Sequence, residues 1–160
     1  MTTDTLVPNA DRAGKDTQSF VTFRVADQLF GVPVTRVQDI LTPDVVAPVP
    51  GAPKEVRGLI NLRGRIVTVI DMRTHLSLPK ASEDVTRAGM CVTVESRGDY
   101  YTLFVDKIGD VITLSGDLRE GNPATLDTVW REVADAVYRT DQGLLVALHV
   151  DRLLAIETKS

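Results

Sequence analysis

VRGLINLRGRIVTVIDMR, residues Val56 to Arg73, decides how the rest of the chain is read. It divides into two short apolar runs, GLINL and RIVTVID, joined at Arg63-Gly64-Arg65. Strand-forming residues on both sides of a glycine turn predict a β-hairpin. Arg63, between Leu62 and Gly64, would be held at a strand end on a rigid scaffold. There its planar fork of donors can meet a carboxylate or carbonyl oxygens. The competing reading is a solvated turn arginine, and the rest of the chain has to decide between the two.

The chain has 160 residues, 43% apolar and 25% charged, ordinary values for a globular protein with room for one or two domains. One Trp, three Tyr and four Phe leave packing to aliphatic side chains. No run approaches the roughly 18 apolar residues of a membrane-spanning helix. Met1 to Ser19 is polar, with Asp4, Asp11, Arg12, Lys15 and Asp16, and has no apolar signal core. Residues 1–18 are therefore expected to be a disordered tail on a cytoplasmic protein. Cys91, the single cysteine, lies in MCVTV and reads as a small buried hydrophobe. Charge is unevenly spread. Residues 20–80 carry eight Lys/Arg against five Asp/Glu, and residues 81–160 carry eight against fourteen. A basic front and an acidic back suit head-to-tail contact between related molecules.

Short β-type runs recur at Phe20–Ala26, Leu29–Val34, Gly58–Asn61, Ile66–Asp71, Cys91–Ser96, Tyr100–Val105, Asp110–Leu114, Ala136–Arg139 and Leu144–His149. Their number and spacing predict small barrels rather than a βαβ layout. Thr35–Leu41 reads as about two helical turns, and Val150–Ile156 as a closing helix. Val129–Val137 fits either class. Pro43, Pro48, Pro50 and Pro53 make residues 43–53 an extended edge crossing.

A weak repeat underlies this pattern. Shifted by 71 residues, Val21-Thr22-Phe23 falls on Val92-Thr93-Val94, and Val34, Val37, Asp39 and Ile40 fall on Val105, Ile108, Asp110 and Val111. Shifted by 78, Val69-Ile70-Asp71 with Leu76 falls on Ala147-Leu148-His149 with Leu154. Two similar β units of under about 80 residues each would need a shared hydrophobic interface.

Catalytic parts are scarce. His75 and His149 have no ligand-type spacing, so no metal is expected. Cys91 has no adjacent base, no serine sits in a nucleophile elbow, and the glycines are isolated turn residues rather than a phosphate cradle. Tyr100-Tyr101, the one adjacent aromatic pair, lies in the acidic half, which argues against nucleic acid. A protein-binding module remains.

GVPVTRVQDIL, VAPVPGAPKEVRGLINLRGRIVTVIDMR and LFVDKIGDVITL, in this order and spacing, resemble the bacterial chemotaxis coupling proteins of the CheW family over residues 19–157. Thr68 stands where that family usually has proline, Asp39 where glutamate is common, and His149 where aspartate usually ends the last long strand. The resemblance implies an all-β fold of two packed five-stranded SH3/OB-like β-barrels with short helices. The subdomains would run over approximately 19–80 and 88–150, possibly exchanging strands, with a helix near 150–157. It further implies a non-catalytic, cofactor-free adaptor. Its partners would be the regulatory domain of the histidine kinase CheA and the cytoplasmic tips of methyl-accepting chemoreceptors. Neither nucleic acid nor direct membrane insertion is expected. Alternatives are an adaptor of a non-flagellar chemosensory pathway, such as pilus motility or development, and a free-standing ligand- or nucleic-acid-binding barrel. By this resemblance Val37, Asp39, Gly58 and Arg63 belong to a docking surface on the first unit. Val105, Ile108 and Val111 would line the second unit's side of a groove for a receptor helix.

Overall fold

The computed structural model describes residues 17–42, 46–120 and 128–155. Strands β1 (Thr17–Val25) and β2 (Gln28–Pro33) form a hairpin, and a 3-10 turn at Val34–Arg36 leads into β3 (Val37–Leu41). The expected hairpin follows as β4 (Val56–Leu62) and β5 (Arg65–Asp71), then α1 (Met72–His75) and α2 (Glu83–Arg87). A third hairpin joins β6 (Met90–Ser96) to β7 (Asp99–Val105), and β8 (Lys107–Ser115) follows. The described chain closes with β9 (Arg119–Glu120), α3 (Thr128–Val133), β10 (Ala134–Thr140), β11 (Gly143–Leu148) and α4 (Val150–Leu153).

Two sheets result. One has the order β9-β10-β11-β2-β1-β8 and the other β3-β6-β7-β5-β4. The first has six strands rather than five because the two-residue β9 pairs along β10. Sheet membership does not follow the approximately 19–80 and 88–150 division, and strands cross between its halves, as that reading allowed. The β1–β2 hairpin sits in a sheet completed by β8 to β11, whereas β6–β7 sits in a sheet completed by β3 to β5. Parallel pairs β2–β11 and β5–β7 join the halves. The 71- and 78-residue echoes are the sequence image of this reciprocal exchange, since each half sends its first hairpin to one sheet and its later strands to the other.

The repeat extends to the caps. Asp71 accepts hydrogen bonds from the Arg73 and Thr74 N–H groups at the start of α1. At the equivalent position of α4, His149 Nδ1 accepts from the Arg152 N–H at 3.3 Å, so histidine does the aspartate's work there. His75 Nε2 donates to the Leu153 carbonyl, bringing the two helices together.

Residues 37–41 are a strand, not the expected helix. Antiparallel pairing with β6 overrides the weak helical spacing, and Ile40 faces outward at 41% exposure instead of sharing a face with Leu41. The ambiguous stretch 129–137 contains both structures, α3 turning into β10 at Ala134. Helix α2 went unread, although Ser82 caps it, Glu83 and Asp84 occupy its first turn, and Arg87 its last. Thr17 and Gln18 already pair with β8, so β1 begins inside the stretch expected to be tail; residues 1–16, Pro43–Val45 and Ile156 lie outside the described residues.

Central strands are buried on both faces. In β6 and β7, Cys91 and Phe104 join a cluster with Ile60, Val67 and Val69, while Val92, Leu103 and Val105 face a larger cluster. That larger cluster also takes Phe23, Phe30 and Val146 from the six-stranded sheet, so the two sheets share one core. Burial pushes the Cys91 thiol up to about 11. Cys91 is expected to resist a thiol-specific reagent in the native protein at pH 8 and to react fully in denaturant. Rapid native labelling would contradict its burial.

Each passage between sheets is fixed by an ion-pair cluster. Arg36 Nη2 meets Asp151 Oδ1 at 2.5 Å, while Arg36 Nε donates to the Glu95 carbonyl and Ser96 Oγ donates to Asp151 at 2.7 Å. Arg73 holds Asp106 through two bonds of 3.1 and 2.6 Å, and Asp106 also accepts the Ala26 N–H at 2.8 Å. The Ser96 hydroxyl and then Arg36 hold the Asp151 carboxyl below its usual range. Its contribution is complete above the unfolded-state value of about 3.9 and is lost as pH falls through the lower folded-state value. The melting-temperature gap between wild type and Asp151→Asn should therefore be present at pH 7 and shrink below about pH 4. A gap unchanged down to pH 2 would contradict this.

Candidate protein-docking site

Arg63 and Gly64 form the two-residue turn of the β4–β5 hairpin, with φ of 53° and 84°. Both positive angles are those of a type I′ turn. For arginine the left-handed conformation costs roughly 1 kcal/mol. The Asn61 side-chain carbonyl steadies the turn by accepting the Gly64 N–H at 2.8 Å. The Arg63 fork then reaches Asp39, Nη1 to Oδ2 at 2.9 Å. Asp39 stands just past a β-bulge in β3, and its other oxygen accepts the Ile40 N–H at 2.9 Å.

Strands β3 and β4 are opposite edges of the five-stranded sheet. The Arg63–Asp39 pair therefore spans the seam where the sheet curls on itself. An antiparallel bridge between Ala47 and Leu59, with bonds of 2.8 and 2.9 Å, lies against β4 beside it. Gly58 makes that approach possible. Its φ is 149°, and a Cβ there would lie 2.3 Å from the Ala47 carbonyl oxygen.

Exposure separates the seam's residues. The Arg63 side chain is 78% exposed and Asp39 only 20%, so the carboxylate is anchored while most of the guanidinium faces solvent. Ile40 and Ile66 add exposed apolar area on β3 and β5, Ile66 at 62%. Beside Ile66, the Arg65 guanidinium lies 4.4 Å above the Tyr100 ring. Neither isoleucine was singled out from sequence, although the repeat offered a signal, because Ile40 is the equivalent of Val111.

The second unit's residues separate by burial. Val111 on β8 is 60% exposed, and Ile108 is half-buried against the shared core, as Val37 is. Val105 is fully buried at 0% exposure, which corrects its place on a groove wall: its alternate-face position in β7 turns it into the shared core. The seam chemistry is not repeated either. The 78-residue shift places Asp141 where Arg63 stands, and a cavity of about 620 Å³ lined by Ile112, Leu114, Leu118 and Asp141 opens along β8.

The CheW-like domain model matches residues 19–158. The chain belongs to the CheW-like family. A chemotaxis protein CheW of Bacillus subtilis is 30% identical over 144 residues, covering 90% of this chain and 91% of that protein. The solved scaffolding protein TtCheW of Thermoanaerobacter tengcongensis superposes with a TM-score of 0.76 at 25% identity, covering 86% and 92% of the two chains. The protein FrzA of Myxococcus xanthus is 34% identical over 64 residues, 40% of each chain. Within this CheW-like chain both histidines are engaged, His75 with Leu153 and His149 as a helix cap.

Proposed function

We propose that the chain is a non-catalytic chemosensory adaptor joining the cytoplasmic tips of methyl-accepting chemoreceptors to the regulatory domain of the histidine kinase CheA. Family membership across nearly the whole described chain supports the class. One observation carries the site: a mostly exposed arginine, held by a strained turn and an anchored carboxylate, beside exposed Ile40 and Ile66. An anchored, exposed cation with exposed isoleucines on β3 and β5 of the same sheet suits an amphipathic helix or a β-edge from a partner. Asp39 and Arg63 form the centre of this surface. Val37 and Gly58 set its backbone, and Ile108 and Val111 extend the apolar area on the second unit. An adaptor of a non-flagellar chemosensory pathway is the second reading, favoured by the local identity with FrzA.

Size-exclusion co-elution tests the class. The chain should co-elute with a kinase regulatory domain or a soluble receptor fragment and show no salt-sensitive shift with oligonucleotides. Salt-sensitive oligonucleotide binding with neither signalling partner bound would favour the free-standing barrel instead.

A further inference from the structure

Both histidines of the chain hold one short helix, α4, from opposite ends and in opposite senses. At its N-terminus His149 Nδ1 accepts the Arg152 N–H, which requires a lone pair there and leaves the ring proton on Nε2. At its C-terminus His75 Nε2 donates to the Leu153 carbonyl, which requires a proton on that nitrogen. A second proton therefore acts differently on the two rings. On His149 it occupies Nδ1, removes the acceptor and sets a cation against the helix N-terminus. On His75 it leaves the donor in place, makes the bond charge-assisted and sets a cation at the helix C-terminus.

Helix α4 controls more than its own four residues. Val150 and Leu153 are buried in the core shared by the two sheets, and Asp151 between them pairs with Arg36. Arg36 closes the 3-10 turn that feeds β3, where Val37 and Asp39 stand. Around His149 stand Glu95 of β6, Arg131 and Glu132 of α3 and Asp135 of β10, with Asp151 and Arg152 on α4 itself; around His75 stand Asp71 and Arg73. Carboxylate and guanidinium groups hold their charge between about pH 5.5 and 8, the range over which imidazole gains its proton.

We propose that α4 is a proton-sensitive latch on the crossing into β3. Above the imidazole range both ends are held and Asp151 is seated against Arg36. As pH falls through that range the N-terminal cap is released while the C-terminal hold tightens. The first turn of α4, which carries Asp151, then opens first. In the other half Asp71 caps α1 with a carboxylate, so only one of the two crossings carries this response.

Two variants of the full chain remove one imidazole each and keep its hydrogen-bonding role. His149→Asp supplies an acceptor that does not titrate in this range, and His75→Gln a donor that does not. Melting temperatures of both are read against wild type at pH 8 and pH 5.5, and only the change in each gap counts. Relative to wild type, His149→Asp should gain about 2–4 °C on going from pH 8 to pH 5.5, the scale of one helix cap in a chain of this length. His75→Gln should instead lose about 1–2 °C relative to wild type over the same interval. Amide exchange at Arg152, corrected for its intrinsic pH dependence, should quicken at least about threefold at pH 5.5 in wild type and not in His149→Asp. A gap for His149→Asp that does not change with pH would overturn the proposal, as would changes of the same sign in both variants or unchanged exchange at Arg152. Should His149→Asp not fold, His149→Asn is measured in its place. Failure of both to fold would also overturn it, since a non-titrating acceptor would then not replace the ring.

Discussion

Asp39→Arg is expected to weaken binding to the kinase regulatory domain or the receptor fragment by about 30-fold or more, while shifting the melting temperature by no more than about 4 °C. The affinity loss corresponds to about 2 kcal/mol, the scale of a central interface residue. The small thermal effect follows from Arg63, whose exposure keeps the Asp39–Arg63 pair near 0–1 kcal/mol in stability, a few degrees for a chain of this length. Arg63→Ala should likewise leave a folded monomer with reduced affinity. The exchange Asp39→Arg with Arg63→Asp separates position from contact. It restores an ion pair across the seam but presents an anion to the partner, so stability should recover and binding should not. Recovered binding would mean that the pair only shapes the hairpin.

The largest stability loss is expected at Gly58. Gly58→Val must place a branched side chain at φ 149°, against the Ala47 carbonyl carbon and oxygen at 2.8 and 2.3 Å. These are backbone atoms bridged to Leu59, so they cannot swing aside as a side-chain tip would. Strain at such a backbone angle costs about 1–3 kcal/mol, and the lost bridge adds to it. A destabilisation above about 3 kcal/mol, or more than about 6 °C in melting temperature, should follow. A shift under 2 °C would show that the 46–47 segment does not need its close seat on β4.

The Val56–Asp71 hairpin was legible because its signal is local: β-branched runs, a glycine at the turn and matching register on both sides. The repeat was legible in its apolar spacing and its aspartates, and it extends to paired helix caps at Asp71 and His149. Strand exchange between the halves was allowed by the resemblance, but which strands cross was not legible from the residues. A strand buried on both faces reads as the same apolar run whichever strand flanks it, and the parallel β2–β11 pairing leaves no turn between its partners. Residues 37–41 misled because Val37, Ile40 and Leu41 fit a short helical face, whereas only the long-range pairing with β6 makes them a strand. Val105 misled for a related reason. Its repeat partner Val34 is exposed at 37%, so sequence equivalence concealed opposite burial. Arg63 and Asp39 were each singled out, but their contact depends on sheet curvature, which brings residues 24 apart in sequence across the seam.

The proposed function requires one adaptor to engage two different signalling partners. Its most direct test is a titration of a labelled receptor hairpin into the chain, alone and with a saturating kinase regulatory domain. Saturable receptor binding tighter than about 100 µM is expected in both titrations, with the kinase domain retained in the complex. Mutual displacement of the two partners, or no binding of either up to that concentration, would contradict it.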